Sequence, residues 1–305
     1  MQQKKLSSFL ALACGLLAAL PAHALQVVAT LPSLAALAKE VAGPHAQVEA
    51  MLSPRQDPHY ADAKPSLVLA LNRADLLIFN GLELEVGWLP GLVRQARNPK
   101  ILPGAAGSFD ASRFVQKLHV PATLDRAQGD IHPGGNPHFA WDPRAGAAIA
   151  EGLGRALGQA DPAHAADYQK NAAELAGRLR ALAASEQKRF QALAAPQRQV
   201  AVYHDSLVYL VDWLGLQQVT TVEPRPGIPP DPAHLAKVIG QLKAVHGLAL
   251  LQEEYYPRSA SDQVVRLAGG RVAVLQGGAR FSEGQRYDEY VRGLAAAVFA
   301  AITSK

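Results

Sequence analysis

Short apolar runs rich in β-branched residues alternate along the chain with longer stretches of helical spacing. This alternation predicts parallel β-sheets covered by helices on both faces, because each strand is then buried from two sides. The runs fall into two sets of four, so we predict an α/β fold with two lobes, each built on a four-stranded parallel sheet. The predicted strands are residues 26–30, 47–52, 76–80 and 100–102 in the first set, and 199–204, 217–222, 248–253 and 271–275 in the second.

The segment between the two sets has the most regular pattern of the chain. Asp161 offers an N-cap, Pro162 suits the first helical position, and no further proline occurs before Pro196. A helix of roughly 32 residues would be about 48 Å long at 1.5 Å per residue. We expect residues 158–195 to form a rigid helix that joins a first lobe at 25–157 to a second lobe at 196–305. The alternative is a surface helix of a single domain.

The first 24 residues have the pattern of a secretory signal peptide. Two lysines precede an apolar run at residues 9–20, and Ala22-His23-Ala24 offers an A-x-A cleavage site. The run is too short to span a bilayer comfortably. We therefore expect an exported protein whose mature chain begins near Leu25.

Cys14 is the only cysteine of the chain. It allows a lipid anchor as an alternative to simple cleavage, but residues 11–13 fit a lipoprotein signal poorly. The mature chain then has no thiolate, so any metal site must use nitrogen and oxygen ligands. Removing two lysines from the 30 basic residues leaves 28 against 26 acidic ones, a net charge of +2, which does not favour nucleic acid or an anionic membrane as a partner.

Three histidines stand where parallel sheets bind their ligands. His59 lies in Asp57-Pro58-His59 just beyond the predicted strand 47–52, His138 lies in Asn136-Pro137-His138, and His204 ends the predicted strand 199–204. Each proline restricts the backbone beside it and so directs the histidine that follows. Ligands bind beyond the carboxyl ends of parallel strands, so these three imidazoles could meet in one cleft between the lobes.

Three imidazole ligands with one oxygen make a tetrahedral zinc shell. Neutral imidazoles suit Zn²⁺ better than Mn²⁺, which favours carboxylates and water. The predicted metal ligands are therefore His59, His138 and His204, with Zn²⁺ as the favoured ion.

The order of these motifs resembles one known family, the zinc and manganese solute-binding proteins of ABC importers, the cluster A-I group. The similarity covers nearly all of the mature chain: Asp57-Pro58-His59, then Asn136-Pro137-His138 followed by Asp142-Pro143, then a long helix, then His204. The resemblance implies a periplasmic, monomeric protein that is not an enzyme. It would capture the metal ion between its lobes and deliver it to the membrane permease subunit of an ABC importer.

Two departures from the family pattern leave the fourth ligand open. Many members carry an aspartate after the last strand, where this chain has Gln276, and the long His/Asp-rich loop of some zinc-binding members is missing. The fourth ligand could be Glu253, Glu254, Gln276 or water. His132 is expected to be a loop residue or a ligand on the entry path of the ion.

Three other functions compete with zinc capture. An exported zinc hydrolase would also use three protein ligands, but the chain has no H-E-x-x-H motif and no carboxylate obviously placed as a general base. A siderophore or cobalamin binder shares the two-lobed plan but recognises its cargo through aromatic and arginine side chains. A manganese or iron binder of the same fold differs only in ligand preference.

Overall fold

The computed structural model describes residues 24–62, 64–122, 132–245 and 248–304. Residues 1–23 of the predicted signal peptide, including Cys14, lie outside this range. Among the described helices, none has both the length and the apolar character needed to cross a bilayer.

Two parallel sheets of four strands each form the framework, as predicted. The first has the strand order β2-β1-β3-β4, and the second has the order β6-β5-β7-β8. Neighbouring strands are parallel in both sheets. The strands are β1 (Leu25–Ala29), β2 (Ala46–Ala50), β3 (Leu76–Phe79), β4 (Ser108–Asp110), β5 (Gln199–Val202), β6 (Gln217–Thr221), β7 (Ala249–Glu253) and β8 (Arg271–Leu275).

The predicted strand at residues 100–102 is wrong. The chain forms a 3₁₀ turn at Pro99–Ile101, and the fourth strand of the first sheet is β4. Prolines at positions 99 and 103 remove backbone donors on both sides of this run. The side chain of Asn98 accepts a hydrogen bond from the backbone N–H of Lys100 and so caps the turn. The apolar character of the run reflects the burial of Ile101, which is 1% exposed.

Helices connect the strands and cover the sheets. They are α1 (Pro32–Ala42), α2 (Pro65–Arg73), α3 (Leu89–Ala96), α4 (Pro143–Ala160), α5 (Ala165–Gln191), α6 (Val208–Leu214), α7 (Pro232–Leu242), α8 (Ser259–Ala268) and α9 (Tyr287–Thr303). Several begin with proline in the first turn, where its missing N–H would have no helical partner.

The long helix between the lobes is α5, which confirms the prediction of a connecting helix. It has 27 residues and is therefore about 40 Å long. It begins later than predicted, because Pro162–His164 form a separate 3₁₀ turn and the carboxylate of Asp161 accepts hydrogen bonds from His164 and Tyr168. The helix contacts α1 and α4, which belong to the first lobe, and also α6 and α9, which belong to the second.

The main hydrophobic core is continuous between the lobes. It contains residues of β1 in the first lobe together with residues of β5 and β7 in the second. Successive residues of β5 point to opposite faces, so Val200 belongs to this main core while Ala201 belongs to a smaller cluster on the other face of the second sheet. Because both lobes share one core, their relative position is well defined, and the loops between them form a fixed cleft.

Candidate metal centre

His59 lies in the turn that follows β2. The carboxylate of Asp57 accepts a hydrogen bond of 3.0 Å from the backbone N–H of His59, and the same oxygen lies 2.7 Å from the ring atom Nδ1. This pairing makes Nδ1 the protonated nitrogen and leaves the lone pair on Nε2. The Nε2 atom is buried and has no hydrogen-bond partner in the described part of the chain.

His138 lies in the loop that leads into α4, and its side chain is buried. The side-chain oxygen of Asn136 accepts a hydrogen bond of 3.0 Å from the backbone N–H of His138. The side chain of Asn80, at the end of β3, donates a hydrogen bond of 2.8 Å to the carbonyl of Pro137. Both residues that precede the histidine are therefore held, which fixes the direction of its side chain.

His204 lies two residues beyond β5, in the second lobe. It is 5% exposed, and its Nδ1 atom lies 2.7 Å from a carboxylate oxygen of Glu223, the second residue after β6. As at His59, the carboxylate fixes the tautomer of the neutral ring and leaves the lone pair on Nε2.

The structure brings the three predicted histidines together in the cleft. The ring centres of His59 and His138 are 5.0 Å apart, those of His59 and His204 are 5.9 Å apart, and those of His138 and His204 are 5.8 Å apart. Two imidazoles bound at about 2.0–2.1 Å to one tetrahedral zinc ion have ring centres roughly 5 Å apart. Small movements would therefore bring all three rings to a common ion.

His132 lies beside the same cluster. Its ring centre is 5.5 Å from that of His59 and 6.4 Å from that of His138, and the three side chains offer ligand atoms within 4.8 Å of one another. The distances between ligand atoms therefore favour His132 as the third member of the cluster, whereas the distances between ring centres favour His204. The geometry of His204 is the better defined, because its ring is buried and held by Glu223, while His132 is partly exposed.

Glu253 is the last residue of β7, at the carboxyl end of the second sheet, and its charge influences His204. Its side chain is fully buried, one oxygen accepts a hydrogen bond from Ser206, and the other has no hydrogen-bond partner in the described part of the chain. Glu254 is instead engaged by the backbone N–H of Gly277 at 3.1 Å and by Arg280 at 2.5 Å. The side-chain oxygen of Gln276 faces the amide of Gln285 at 3.3 Å.

Comparisons with known proteins identify the family of the chain. The family model described as ZnuA, zinc-uptake complex component A, periplasmic, matches residues 27–300. The chain belongs to this family. It is therefore a metal-binding solute-binding component of an ABC transporter, and the resemblance seen in the sequence motifs is confirmed.

Individual relatives match over most of their length. The chain is 24% identical over 269 residues to the iron ABC transporter substrate-binding lipoprotein MtsA of Streptococcus pyogenes serotype M1, covering 87% of this chain and 84% of MtsA. It is 30% identical over 258 residues to the high-affinity zinc uptake system protein ZnuA of Paracoccus denitrificans strain Pd 1222, covering 72% and 74%. A crystal structure of ZnuA has the same fold, with a TM-score of 0.77 at 20% identity, covering 92% of this chain and 100% of that one.

The surroundings of His138 keep its ring in the neutral form. Burial lowers the pKa of His138 well below its ordinary value, and the nearby His59, His204 and His132 lower it further. His138 is therefore neutral at neutral pH and ready to donate its lone pair to a metal ion.

His204 and Glu253 behave in the opposite way and attract protons in the metal-free protein. Burial alone would lower the pKa of His204, but the hydrogen bond that its ring donates to Glu223 and the negative charges of Glu253 and Asp57 raise it above the ordinary value. Burial also raises the pKa of Glu253 to about 7, against a lowering effect of His204. A metal ion that binds these two groups must displace protons.

The carboxylates behind the histidines were not predicted as part of the site. Glu223 follows the predicted strand 217–222 directly, so the rule that selected His204 at a strand end would also have selected Glu223. Nothing in the local sequence indicated that these two side chains would pair, because that depends on β5 and β6 lying side by side in the second sheet.

Proposed function

We propose that this protein captures zinc between its two lobes with His59, His138 and His204 and delivers the ion to the permease subunit of an ABC importer. The observation that supports this most directly is the meeting of three imidazoles from loops of both lobes, with ring centres 5.0 to 5.9 Å apart. The Nε2 atom of His59 is buried without a hydrogen-bond partner in the described residues, which is costly unless a ligand occupies that position.

Glu253 is the fourth ligand in this proposal. Its second carboxylate oxygen is buried and lacks a hydrogen-bond partner among the described residues, whereas Glu254 and Gln276 are engaged elsewhere. The resulting shell of three nitrogens and one oxygen matches the composition that zinc accepts in tetrahedral sites. His132 is proposed to contact the ion on its way in, since it is partly exposed beside His59 and His138.

Iron or manganese is the second candidate cargo, and the carboxylate of Glu253 is the observation that favours it. Oxygen ligands suit Mn²⁺ better than an all-imidazole site would. The two relatives named above are also described with different metals. MtsA is described as an iron transporter component and the protein of Paracoccus denitrificans as a zinc uptake protein. Three imidazoles against one carboxylate still favour zinc.

Capture is proposed to need only small movements of the loops. The two lobes share a continuous core and are bridged by α5, so a large hinge rotation would have to break packed apolar contacts. Release would then depend on the permease subunit separating ligands that belong to different lobes. We further propose that the chain acts in the periplasm as a monomer after removal of its signal peptide.

Metal titration of the purified protein tests the ligand assignment. Metal-free protein is mixed with Zn²⁺, Mn²⁺ or Fe²⁺ in competition with a chelating dye, and the stoichiometry and affinity are measured. We expect one tightly bound zinc ion and weaker binding of the other two. The variants His59→Ala, His138→Ala and His204→Ala should each lose most of the affinity. His164→Ala serves as the control, because this histidine lies in the 3₁₀ turn before α5 and bonds to Asp161.

The same preparation separates transport from hydrolysis. The family is a transporter component, which favours capture over catalysis. A zinc hydrolase would turn over ester, peptide or β-lactam substrates in the zinc-loaded state. Stoichiometric zinc binding without turnover supports the proposal, and wild-type protein that binds none of the three metals would overturn it.

A further inference from the structure

All four hydrogen-bonding groups of Asn136 are engaged beside the metal centre, two within the first lobe and two with residues of the second. Its backbone N–H donates to the carbonyl of Leu118 at 2.9 Å, and its backbone carbonyl accepts from the hydroxyl of Tyr209 at 3.0 Å. Its side-chain oxygen accepts from the backbone N–H of His138 at 3.0 Å, and its side-chain N–H₂ donates to the carbonyl of Asp205 at 2.6 Å. The residue is 9% exposed, so these bonds are largely shielded from water.

The bond to Asp205 connects the two loops that carry ligands. Asn136 precedes His138 by two residues in the first lobe, and Asp205 directly follows His204 in the second lobe. A displacement of one lobe away from the other would therefore stretch this bond and move both histidines at once.

The first ligand motif provides an internal comparison. Asp57 and Asn136 occupy the same position in two Pro-His motifs, and the side-chain oxygen of each accepts a hydrogen bond of 3.0 Å from the backbone N–H of its own histidine. An aspartate is sufficient for that local turn. Unlike aspartate, asparagine also has a donor in its side chain. A carboxylate at position 136 would place an oxygen next to the carbonyl oxygen of Asp205, where the two would repel each other.

We propose that Asn136 is a positioning residue that couples the two ligand loops, so that release of the metal requires the bond between its side-chain amide and the Asp205 carbonyl to break. This inference rests on the proposed metal-binding function. The amide bonds to backbone groups beside both ligands, and it acts by holding the backbone beside His138 against the backbone beside His204.

Asn136→Asp is the most direct test, because it keeps the acceptor for His138 and removes the donor to Asp205. Zinc dissociation is measured by stopped-flow mixing of the loaded protein with excess chelator, and affinity by dye competition. We expect release to become roughly tenfold faster and affinity roughly tenfold weaker, the scale associated with leaving a buried polar group unpaired. The association rate should change little.

A matched control distinguishes this role from a general loosening of the lobes. His119 also contacts Asp205, through ring and carboxylate at 3.4 Å, but it is exposed, and such contacts contribute little in water. His119→Asn keeps a residue that tolerates the left-handed backbone at this position, where φ is 49°. It should release zinc at the wild-type rate, and equal acceleration in both variants would overturn the proposal.

Thermal unfolding also measures how far zinc raises the melting temperature, and a purely structural role would leave that rise unchanged. Such a role lowers the melting temperature of metal-free and zinc-loaded protein equally, whereas lost coupling shrinks the rise that zinc produces. If Asn136→Asp does not fold, Asn136→Ser decides, since serine can still accept from the local N–H but is too short to reach Asp205. Wild-type release and affinity in a folded variant would contradict the inference, while failure of the wild-type protein to bind zinc would contradict the proposed function instead.

Discussion

The Nδ1 atom of His204 lies 2.7 Å from a carboxylate oxygen of Glu223, and both side chains are almost completely buried. The two residues lie just beyond neighbouring strands, β5 and β6. Because an imidazole that donates from Nδ1 keeps its lone pair on Nε2, this pair determines which atom His204 offers to the cleft. Asp57 has the same relationship to His59.

Glu223→Gln should weaken zinc binding about 10- to 100-fold, the range seen when the residue behind a histidine ligand is changed. The amide can present its N–H₂ to Nδ1 of His204, which would move the ring proton to Nε2 and block the metal. Dye competition measures the affinity. Glu49→Gln, an exposed change on β2, is the control and should bind zinc as the wild type does. Equal affinity in both variants would show that Glu223 does not orient the ligand.

Zinc affinity should fall as the pH is lowered from 8 to 6, beginning near pH 7. The pKa of Glu253 is raised to about 7, so this carboxyl group is protonated below that pH and deprotonated above it. The pKa of His204 is also raised, because of its hydrogen bond to Glu223 and the charges of Glu253 and Asp57, so this ring holds its second proton to a higher pH than an ordinary imidazole does. Only the deprotonated forms bind metal, so each group costs up to about tenfold in affinity per pH unit below its pKa. Calorimetry in buffers of different ionisation enthalpy measures the protons released.

Glu253→Gln separates the two contributions to this pH dependence. The variant removes one titrating group, so the loss of affinity with falling pH should become shallower while the contribution of His204 remains. An affinity that is constant between pH 6 and 8 in the wild-type protein would contradict the assignment of both groups as ligands.

The sequence was sufficient to predict the framework and to select three histidines that the structure places close together. Seven of the eight strands lie where the apolar runs placed them, because buried parallel strands leave a strong local signal. His59 and His138 were identified from prolines that direct the residues beside them. The strand predicted at 100–102 was wrong because a run of three residues does not distinguish a strand from a buried turn. The structure has a 3₁₀ turn there, at Pro99–Ile101.

The remaining features of the site depend on tertiary structure. His204 and Glu223 are 19 residues apart, and Asn136 and Asp205 are 69 apart, so neither pair has a local pattern that could reveal it. For His132 the sequence left two alternatives, a loop residue or a ligand on the entry path, and only the structure shows that its ring lies 5.5 Å from that of His59. These contacts arise only when the strand order and the placement of the lobes are known.

Zinc should raise the thermal stability of the wild-type protein and leave the ligand variants nearly unchanged. A ligand that binds only the native state at 1,000 times its dissociation constant stabilises it by about 4 kcal/mol. Calorimetric scans with Zn²⁺ and with EDTA measure the difference, and the variant that replaces His59, His138 and His204 together is the control. Identical melting curves for the wild type under both conditions would contradict the site.

Two helical glycines should respond in opposite ways to the same substitution. A Cβ at Gly154 in α4 would lie 2.7 Å from the Cβ of Ala172 and 3.1 Å from the carbonyl oxygen of Tyr168, so α4 and α5 approach each other too closely there for a larger residue. Gly154→Ala should therefore lower stability by about 1–3 kcal/mol. A Cβ at Gly177 in α5 would have no described atom within 4 Å beyond its own helix, so Gly177→Ala should raise stability by up to about 1 kcal/mol through helix propensity alone.

Thermal unfolding of the metal-free proteins measures both changes, since about 1 kcal/mol shifts the midpoint by roughly 2–4 °C for a chain of this size. Metal-free conditions are used so that each midpoint reports the stability of the fold without a contribution from bound zinc. A lower midpoint for the Gly154 variant with a higher one for the Gly177 variant would show that close packing of α4 on α5 constrains the helix between the lobes. If the Gly154 variant were as stable as the wild type, the two helices could separate at little cost, and the rigid connection assumed for metal capture would be wrong.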